Sequence, residues 1–489
     1  MGPSAATRRG LVRVETLTQQ CAMKLALELA SLGRAIVTLG IAAGVAGAQS
    51  TPAPERTGLQ LPPIRPLGAV TATAKETFTI VTNMRPLADG RVLVNDPAGR
   101  RVLLYDAGLQ NYTVVADSTS ATANAYGGRV AGLIAYRADS TLFVDPQSLS
   151  MLVLDPTGKV ARVMSVPNAQ DAMAFAGMLG SAGFDGNGRL VYRGSPRLAM
   201  RGPAGGAGGP PTIPEIPDSA AIFRVDLATR QVDTVGYIKT PKIRMNVSQD
   251  ENGRVRMMSE INPLPLVDEW AVLSDGSVAI VRGRDYHIDW VNPDGTRSSS
   301  PKIPFEWRRL SDDDKVAFID SVKAARERMG ANAPTMMAPG GGPTFIAGAP
   351  GGAAAGGERV MIFSGGGPGG PGGPPGGARG GSERAPGATN AAPPQMNFVP
   401  ASELPDYQPP FFAGAVRADT QGNLWIRTIP TKGVPGGGSL YDVVNRKGEL
   451  IDRVQVPPGR TIVAFGPNGD VYLANRDGQT TKVEKATLR

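Results

Sequence analysis

The sequence predicts an all-β fold, a six-bladed β-propeller of four-stranded antiparallel blades, from three observations. Residues 87–96 (LADGRVLVND) place a tight Asp-Gly turn before apolar residues at alternating positions, which is typical of a β-hairpin. Five further copies of this pattern follow along the 489 residues, beginning at Tyr136, Phe184, Leu273, Arg417 and Phe465. Most copies leave room for two more strands, so that each repeat has roughly the 45 residues of a propeller blade.

The first repeat shows the four strands in succession. They are predicted over residues 79–88, 91–95, 101–105 and 109–116. The third strand ends at Asp106, and an Asp or Asn side chain there can accept hydrogen bonds from its own turn. The corresponding residues in later repeats are Asp155, Asp226, Asn292 and Asn445. Each repeat is therefore predicted to be a four-stranded meander.

The sixth repeat supplies only three strands before the sequence ends, over residues 461–466, 470–474 and 479–484. Residues 67–75 (LGAVTATAK) precede the first repeat and have no partner in it. We expect this N-terminal strand to complete the sixth blade. Joining the two ends of the chain in one blade removes the open sheet edge that a linear array would leave.

Three insertions interrupt the repeats, over residues 195–218, 239–266 and 304–410. The second is predicted to contain a small hairpin around residues 250–253. The third is predicted to begin with a helix over residues 311–329, capped by Ser311, followed by a Gly/Pro-rich tract (331–394) that we expect to be disordered. Because a meander reverses at every turn, all three insertions fall on one face of the propeller, the loop-bearing face.

The N-terminal residues 1–48 resemble a leader that contains a secretory signal peptide. Lys24 and Arg34 precede an apolar run that closes on the small residues Ala46-Gly47-Ala48, and Met23 is an alternative initiator. Residues 49–66 then form a linker. We expect export to the periplasm or the extracellular space, with no transmembrane segment in the mature chain because no later apolar run approaches about 20 residues.

The amino-acid composition excludes several kinds of functional site. Cys21, the only cysteine, lies in the leader, so the mature chain can have no disulfide, thiolate metal site or cysteine nucleophile. The formal net charge is +8, part of which the leader contributes. Since no Lys/Arg run with interleaved aromatic residues is present, we predict no nucleic-acid partner.

Candidate ligand-binding residues lie at the ends of the second strands, on the loop-bearing face. Aligning the six repeats on their turns brings together Asp96, Asp145, Arg193, Arg282, Arg427 and Asn475. Arg284 and Asp285 lie in the following loop of blade four. The arginines could hold an anionic or zwitterionic ligand. The alternative is that strand ends are polar simply because they meet water.

Catalytic and metal-binding residue types are few. His287 is the only histidine, and the sequence shows no partners that would make it part of a serine triad or a histidine-rich metal site. Asp250, Glu251 and Asn252 offer oxygen ligands but lack the full calcium-loop signature. We predict no cofactor, with Ca²⁺ kept as an alternative.

Three segments carry a resemblance to known proteins: LADGRVLV (87–94), WAVLSDGSVAIVRGRDYHIDWVNPDG (270–295), and residues 404–427 with LPDYQPPF and ADTQGNLWIR. In these segments the chain resembles exported six-bladed β-propellers of the NHL and TolB-like type. The resemblance implies the fold and leaves the activity open, because propellers host many functions. Gluconolactonase-like relatives hold calcium in the channel through Glu and Asn ligands, which do not map onto residues of this sequence.

The sequence therefore favours a binding role over catalysis. The first hypothesis is a module that binds a small ligand or an envelope protein through its loop-bearing face. The second is a metal-dependent hydrolase or lyase, gluconolactonase-like, with oxygen ligands near Asp96 and Asp145. The third is a structural component of an envelope assembly.

Overall fold

A computed structural model describes residues 61–81, 83–128, 130–176, 180–195, 216–249, 255–329, 396–478 and 480–488. The predicted leader, most of the predicted linker and first insertion, the turn at residues 250–253 and the low-complexity tract 331–394 lie outside these residues. Among the described helices, none is both long and apolar enough to cross a membrane.

The described residues form the predicted six-bladed propeller. Two strands precede the first blade, β1 (Ile64–Pro66) and β2 (Val70–Phe78). Blade one contains β3 (Asn83–Pro86), β4 (Val92–Asp96), β5 (Arg101–Tyr105) and β6 (Tyr112–Asp117). Blade two contains β7 (Gly132–Ala135), β8 (Thr141–Asp145), β9 (Ser150–Leu154) and β10 (Val160–Ser165), followed by the short helix α1 (Ala172–Phe175). Blade three contains β11 (Gly183–Phe184), β12 (Leu190–Arg193), β13 (Ser219–Val225) and β14 (Val232–Lys239).

The second half repeats the same meander. After β15 (Ile243–Gln249) and β16 (Val255–Ile261), blade four contains β17 (Glu269–Val272), β18 (Val278–Arg282), β19 (His287–Val291) and β20 (Arg297–Ser299). Helix α2 (Asp312–Met329) and β21 (Met396–Phe398) separate it from blade five. Blade five contains β22 (Phe411–Ala418), β23 (Leu424–Thr428), β24 (Ser439–Val444) and β25 (Leu450–Val456). Blade six contains β26 (Arg460–Phe465), β27 (Asp470–Asp477) and β28 (Thr480–Thr487).

The N-terminal strand closes the ring as predicted. Strand β2 pairs antiparallel with β28 and supplies the outer strand of blade six, although it lies about three residues later in the chain than predicted. Strand β1 adds an unpredicted contact, because it pairs in parallel with the outer strand β25 of blade five. The first residues of the fold are thus joined to the last two blades.

One backbone hydrogen bond marks the same position in every blade. Across the tight turn between the first and second strands, the N–H of Leu87 donates to the carbonyl of Arg91. The equivalent N–H groups in blades two to six belong to Tyr136, Asp185, Leu273, Asp419 and Gly466. We call these residues turn position zero. Gly90, three residues later, has φ of 87°, whereas blade two places Asp139 there with φ of 58°.

Apolar layers between neighbouring blades form the core. Val94 and Tyr472 contribute to the layer between blades one and six, and Phe143 to the layer between blades one and two. Trp270 packs between blades three and four, and Trp425 between blades five and six. Alternating strand residues face opposite neighbours, so each blade contributes to two layers.

The second and third insertions fold together into one accessory unit. Strand β16 pairs antiparallel with β15 and parallel with β21, and helix α2 packs beside this sheet through Phe318 and Val322. The predicted helix and its cap are confirmed: the Ser311 hydroxyl accepts the N–H of Asp314, whose carboxylate accepts the N–H of Ser311. The joining of two insertions that are far apart in the sequence was not predicted.

Candidate functional site

The inner strands of all six blades surround a central channel with a volume of about 1020 Å³. Its walls are largely apolar, with contributions from Met84, Ile134, Phe175, Val272 and Phe465. Ile80, Pro97 and Val130 extend the lining into connections of the loop-bearing face. An apolar cavity with a few polar groups is the usual form of a small-ligand site.

One position of the inner strand lines the channel in every blade. Two residues before turn position zero, the lining residues are Arg85, Ile134, Gly183, Ala271, Arg417 and Ala464. Four are small or apolar, and the two arginines are the exceptions. Arg85 and Arg417 therefore hold equivalent places in blades one and five.

Arg85 has a carboxylate partner from the next blade. Its Nη2 lies 2.7 Å from Oδ1 of Asp139, in the tight turn of blade two. The other oxygen of Asp139 accepts the N–H of Ala88 at 2.8 Å. The charge of Arg85 is thus compensated at the channel wall.

Arg417 has no such partner. Its Nε donates to the carbonyl of Ile462 at 2.9 Å, and its Nη1 lies 3.4 Å from Oγ of Ser181. Within the described part of the chain, no carboxylate lies within ion-pair distance of this guanidinium. Burial lowers the pKa of Arg417, and the nearby charge of Arg427 lowers it further. The group nevertheless stays charged at neutral pH, because an arginine is not deprotonated in proteins.

Glu269 is the carboxylate whose charge acts on Arg417. It begins β17 and is only 6% exposed. Burial raises its pKa to about 7, against the opposing effects of a backbone hydrogen bond from Gly414 and the charges of Arg193 and Arg417. Near neutral pH, Glu269 therefore carries only part of a negative charge. It compensates the neighbouring arginines incompletely.

Three predicted site residues form hydrogen bonds with neighbouring residues of the protein. Asp96 accepts the N–H of Gly99 and Nε of Arg101, each at 2.9 Å. The Nδ2 of Asn475 donates to Glu484 at 2.7 Å. The carboxylate of Asp145 accepts hydrogen bonds from Gly127, Gly128, Gln147 and Ser148. Both oxygens of each aspartate are thus engaged by the protein itself.

Arg193 and Arg427 face a different way from the other four strand-end residues. Asp96, Asp145, Arg282 and Asn475 lie nine residues after turn position zero, whereas Arg193 and Arg427 lie eight residues after it. A shift of one residue moves a side chain to the opposite face of a strand. The predicted alignment was thus one residue out in blades three and five. Electrostatic interactions instead couple Arg193 to Glu269 and Arg427 to Arg417.

Arg282, Arg284 and Asp285 do come together, around a second cavity of about 290 Å³ on blade four. Arg282 lies 2.8 Å from Asp268 and 2.7 Å from Asp289. His287 joins them, with Nδ1 2.8 Å from Asp285 and Nε2 3.3 Å from Asp289. Although burial opposes it, hydrogen bonds from Ser299 and Arg282 lower the pKa of Asp289. Most charges in this cavity are already paired.

Sequence reasoning missed Arg417 and Glu269. The sequence does contain a signal for Arg417. Two residues before the aligned turn, four repeats have a small or apolar residue, whereas the other two have Arg85 and Arg417. Glu269 carries no comparable signal, because its pKa depends on packing. The described residues include no group of three or more His, Cys, Asp or Glu placed to hold a metal ion.

No protein-family model matches the chain, and no curated protein is significantly similar in sequence. Several solved structures are similar in fold. A calcium-binding protein, regucalcin, from Agrobacterium tumefaciens shares 10% identity, with a TM-score of 0.37 and coverage of 88% of this chain and 98% of that one. A gluconolactonase from Xanthomonas campestris shares 11% identity, with a TM-score of 0.34 and coverage of 88% and 97%.

TolB from Acinetobacter baumannii shares 10% identity, with a TM-score of 0.31 and coverage of 83% of this chain and 64% of that one. Identities this low bear on fold alone, and the activities of these proteins do not transfer to this chain. The sheet topology of the described residues makes the chain a six-bladed β-propeller.

Proposed function

We propose that this protein is an exported β-propeller that binds a small, largely apolar ligand in its central channel. The observation that carries the proposal is the channel itself, a cavity of about 1020 Å³ with apolar walls and a few polar groups from the inner strands. Its size suits a small organic molecule, and rigid strands on all sides pre-organise it for binding.

The state of the residues considered for metal-dependent hydrolysis supports binding as the first hypothesis. Both oxygens of Asp96 and of Asp145 accept hydrogen bonds from the protein, so neither residue presents a free pair of ligands to a cation. His287 lies between two carboxylates in a separate cavity. In the same proposal, an envelope partner would bind the loop-bearing face.

The neutral fluorescent probe N-phenyl-1-naphthylamine tests the proposal. We expect the chain from Gln49 onward to bind it saturably, with enhanced and blue-shifted emission. Ala464→Phe adds a bulky side chain at a channel-lining position and is expected to weaken binding at least about tenfold by occupying the site. Ala161→Phe, on an exposed outer strand, is the matched control. Absence of saturable binding, or equal affinity in Ala464→Phe, would overturn the proposal.

A further inference from the structure

We infer that the channel ligand carries a single anionic group next to its apolar body, and that Arg417 binds that group. This inference rests on the proposed function, because it names the ligand class of the same channel. Four observations lead to it: the equivalence of Arg417 with Arg85, the missing carboxylate, the local excess of positive charge, and the apolar surroundings.

Arg85 serves as an internal reference for Arg417, because it occupies the equivalent position and has a carboxylate partner. Both lie two residues before turn position zero, and both line the same cavity. In each case the guanidinium reaches toward the next blade, Arg85 to Asp139 of blade two and Arg417 to the Ile462 carbonyl of blade six. Both side chains therefore contact the next blade, and they differ in the group that they meet there.

The missing carboxylate can be located by the same alignment. Asp139 lies three residues after turn position zero of blade two, and the corresponding residue of blade six is Gly469. The two turns have the same form, a single 3₁₀ turn closed by a hydrogen bond from the following residue. Blade two supplies a carboxylate to Arg85 from this turn position, whereas the same turn position of blade six has no side chain to offer Arg417.

The remaining charges nearby do not make up for this absence. The charge of Arg427 acts on Arg417 with the same sign as its own, and Glu269 acts on it with the opposite sign. Glu269 is itself only partly ionised near neutral pH because burial raises its pKa to about 7. An arginine that lines a largely apolar cavity, with a second positive charge nearby and no described carboxylate within ion-pair distance, favours an incoming anion.

The surroundings of Arg417 define the rest of the ligand. Its Nη2 has no hydrogen-bond partner among the described residues, and Nη1 is held only by a long contact with Ser181. The cavity beside it is lined by Val272, Val416 and Val463. A carboxylate or sulfonate on an apolar skeleton would satisfy both parts of this environment.

Two probes with the same ring skeleton separate the charge from the apolar body. N-phenyl-1-naphthylamine is neutral, and 8-anilino-1-naphthalenesulfonate adds one sulfonate. We expect Arg417→Met to lower the preference for the anionic over the neutral probe about tenfold or more, since hydrogen bonds to charged groups have effects of that size. Arg417→Lys, which keeps the charge but loses the fork of donors, should give a smaller loss.

Gly469→Asp provides a second variant that leaves Arg417 in place. It restores in blade six the carboxylate that blade two supplies, and Asp139 shows that aspartate adopts this positive-φ position. A Cβ at Gly469 meets only Leu488, at 3.7 Å. We expect Gly469→Asp to lower the anion preference severalfold, with Gly469→Asn, its neutral isostere, unchanged within about twofold.

The two proposals fail in different ways. If the unmodified protein does not bind the neutral probe, the proposed function is overturned. If the neutral probe binds but Arg417→Met leaves the anion preference within about twofold of its original value, the inference about Arg417 is overturned while the proposed function stands. An equal preference in Gly469→Asp and Gly469→Asn would contradict the charge-compensation argument.

Discussion

Arg85 in blade one and Arg417 in blade five occupy equivalent positions, line the same channel and contact the next blade. Their environments differ in one residue of that next blade. Asp139 from blade two lies 2.7 Å from Arg85, whereas the corresponding turn residue of blade six is Gly469, which has no side chain. The first arginine completes an ion pair in the wall of the propeller. The second leaves a cation available in an apolar cavity. In a repeat fold, the arginine of one blade can therefore stabilise the structure through an ion pair, while the equivalent arginine of another blade has no such partner.

The largest expected effect concerns Glu269, the buried carboxylate of blade four whose charge acts on Arg417. Its pKa is raised from 4.5 to about 7 in the folded state, so stability from its protonated form is present below about pH 4.5 and lost as pH rises through 7. We expect Glu269→Gln to remove this loss, making the variant more stable than the parent at pH 8 by on the order of 3 kcal/mol, with little difference at pH 4.

Urea unfolding of the two proteins at pH 4, 6 and 8 measures this effect. The difference in unfolding free energy between variant and parent should grow with pH across this range. A difference that is constant with pH would show that Glu269 titrates as it does in the unfolded chain. The anionic probe should also bind the parent more weakly above pH 7, because ionised Glu269 then opposes it.

The same substitution in the two equivalent arginines tests the comparison directly. Arg85→Met leaves Asp139 without its ion-pair partner and should destabilise the fold by about 2 kcal/mol. Arg417→Met replaces a partly buried cation that has no carboxylate partner among the described residues with an apolar side chain of similar length. It should be neutral or stabilising by up to about 1 kcal/mol. Denaturant midpoints measure both, and equal losses in the two variants would refute the difference between the sites.

The smallest expected effect concerns calcium and tests the sign of the charge in the channel. An excess of arginine should exclude a divalent cation, and Asp96 and Asp145 have no free oxygen pair to offer. We expect the melting temperature of chelator-treated protein to rise by less than about 1 °C in millimolar Ca²⁺. A saturable rise of several degrees would instead favour the metal-dependent enzyme.

Much of the fold was readable from local patterns. Asp-Gly and Asn-Gly turns followed by alternating apolar residues predicted the six blades, because turn geometry and strand period depend on residues only a few positions apart. The closing strand followed from a count of strands in the sixth repeat. The helix after blade four followed from its cap at Ser311 and its apolar positions Phe318 and Val322.

The candidate site was only partly readable in the same way. Arg282, Arg284 and Asp285 lie close together in the chain, and they line the cavity on blade four. Arg193 and Arg427 were placed one residue out of register, since the turn starts could not be aligned to a single residue without the backbone hydrogen bonds. In a strand, that error reverses the direction of the side chain.

The sequence by itself determined the number of blades, the positions of the tight turns, and the presence of arginine at both equivalent inner-strand positions. Only the tertiary structure decided what those arginines meet. Asp139 is 54 residues from Arg85, and the burial that raises the pKa of Glu269 involves strands from separate blades. Turns and strand periods arise from short-range geometry. Charge compensation arises from pairs that only the closed ring brings within a few ångströms.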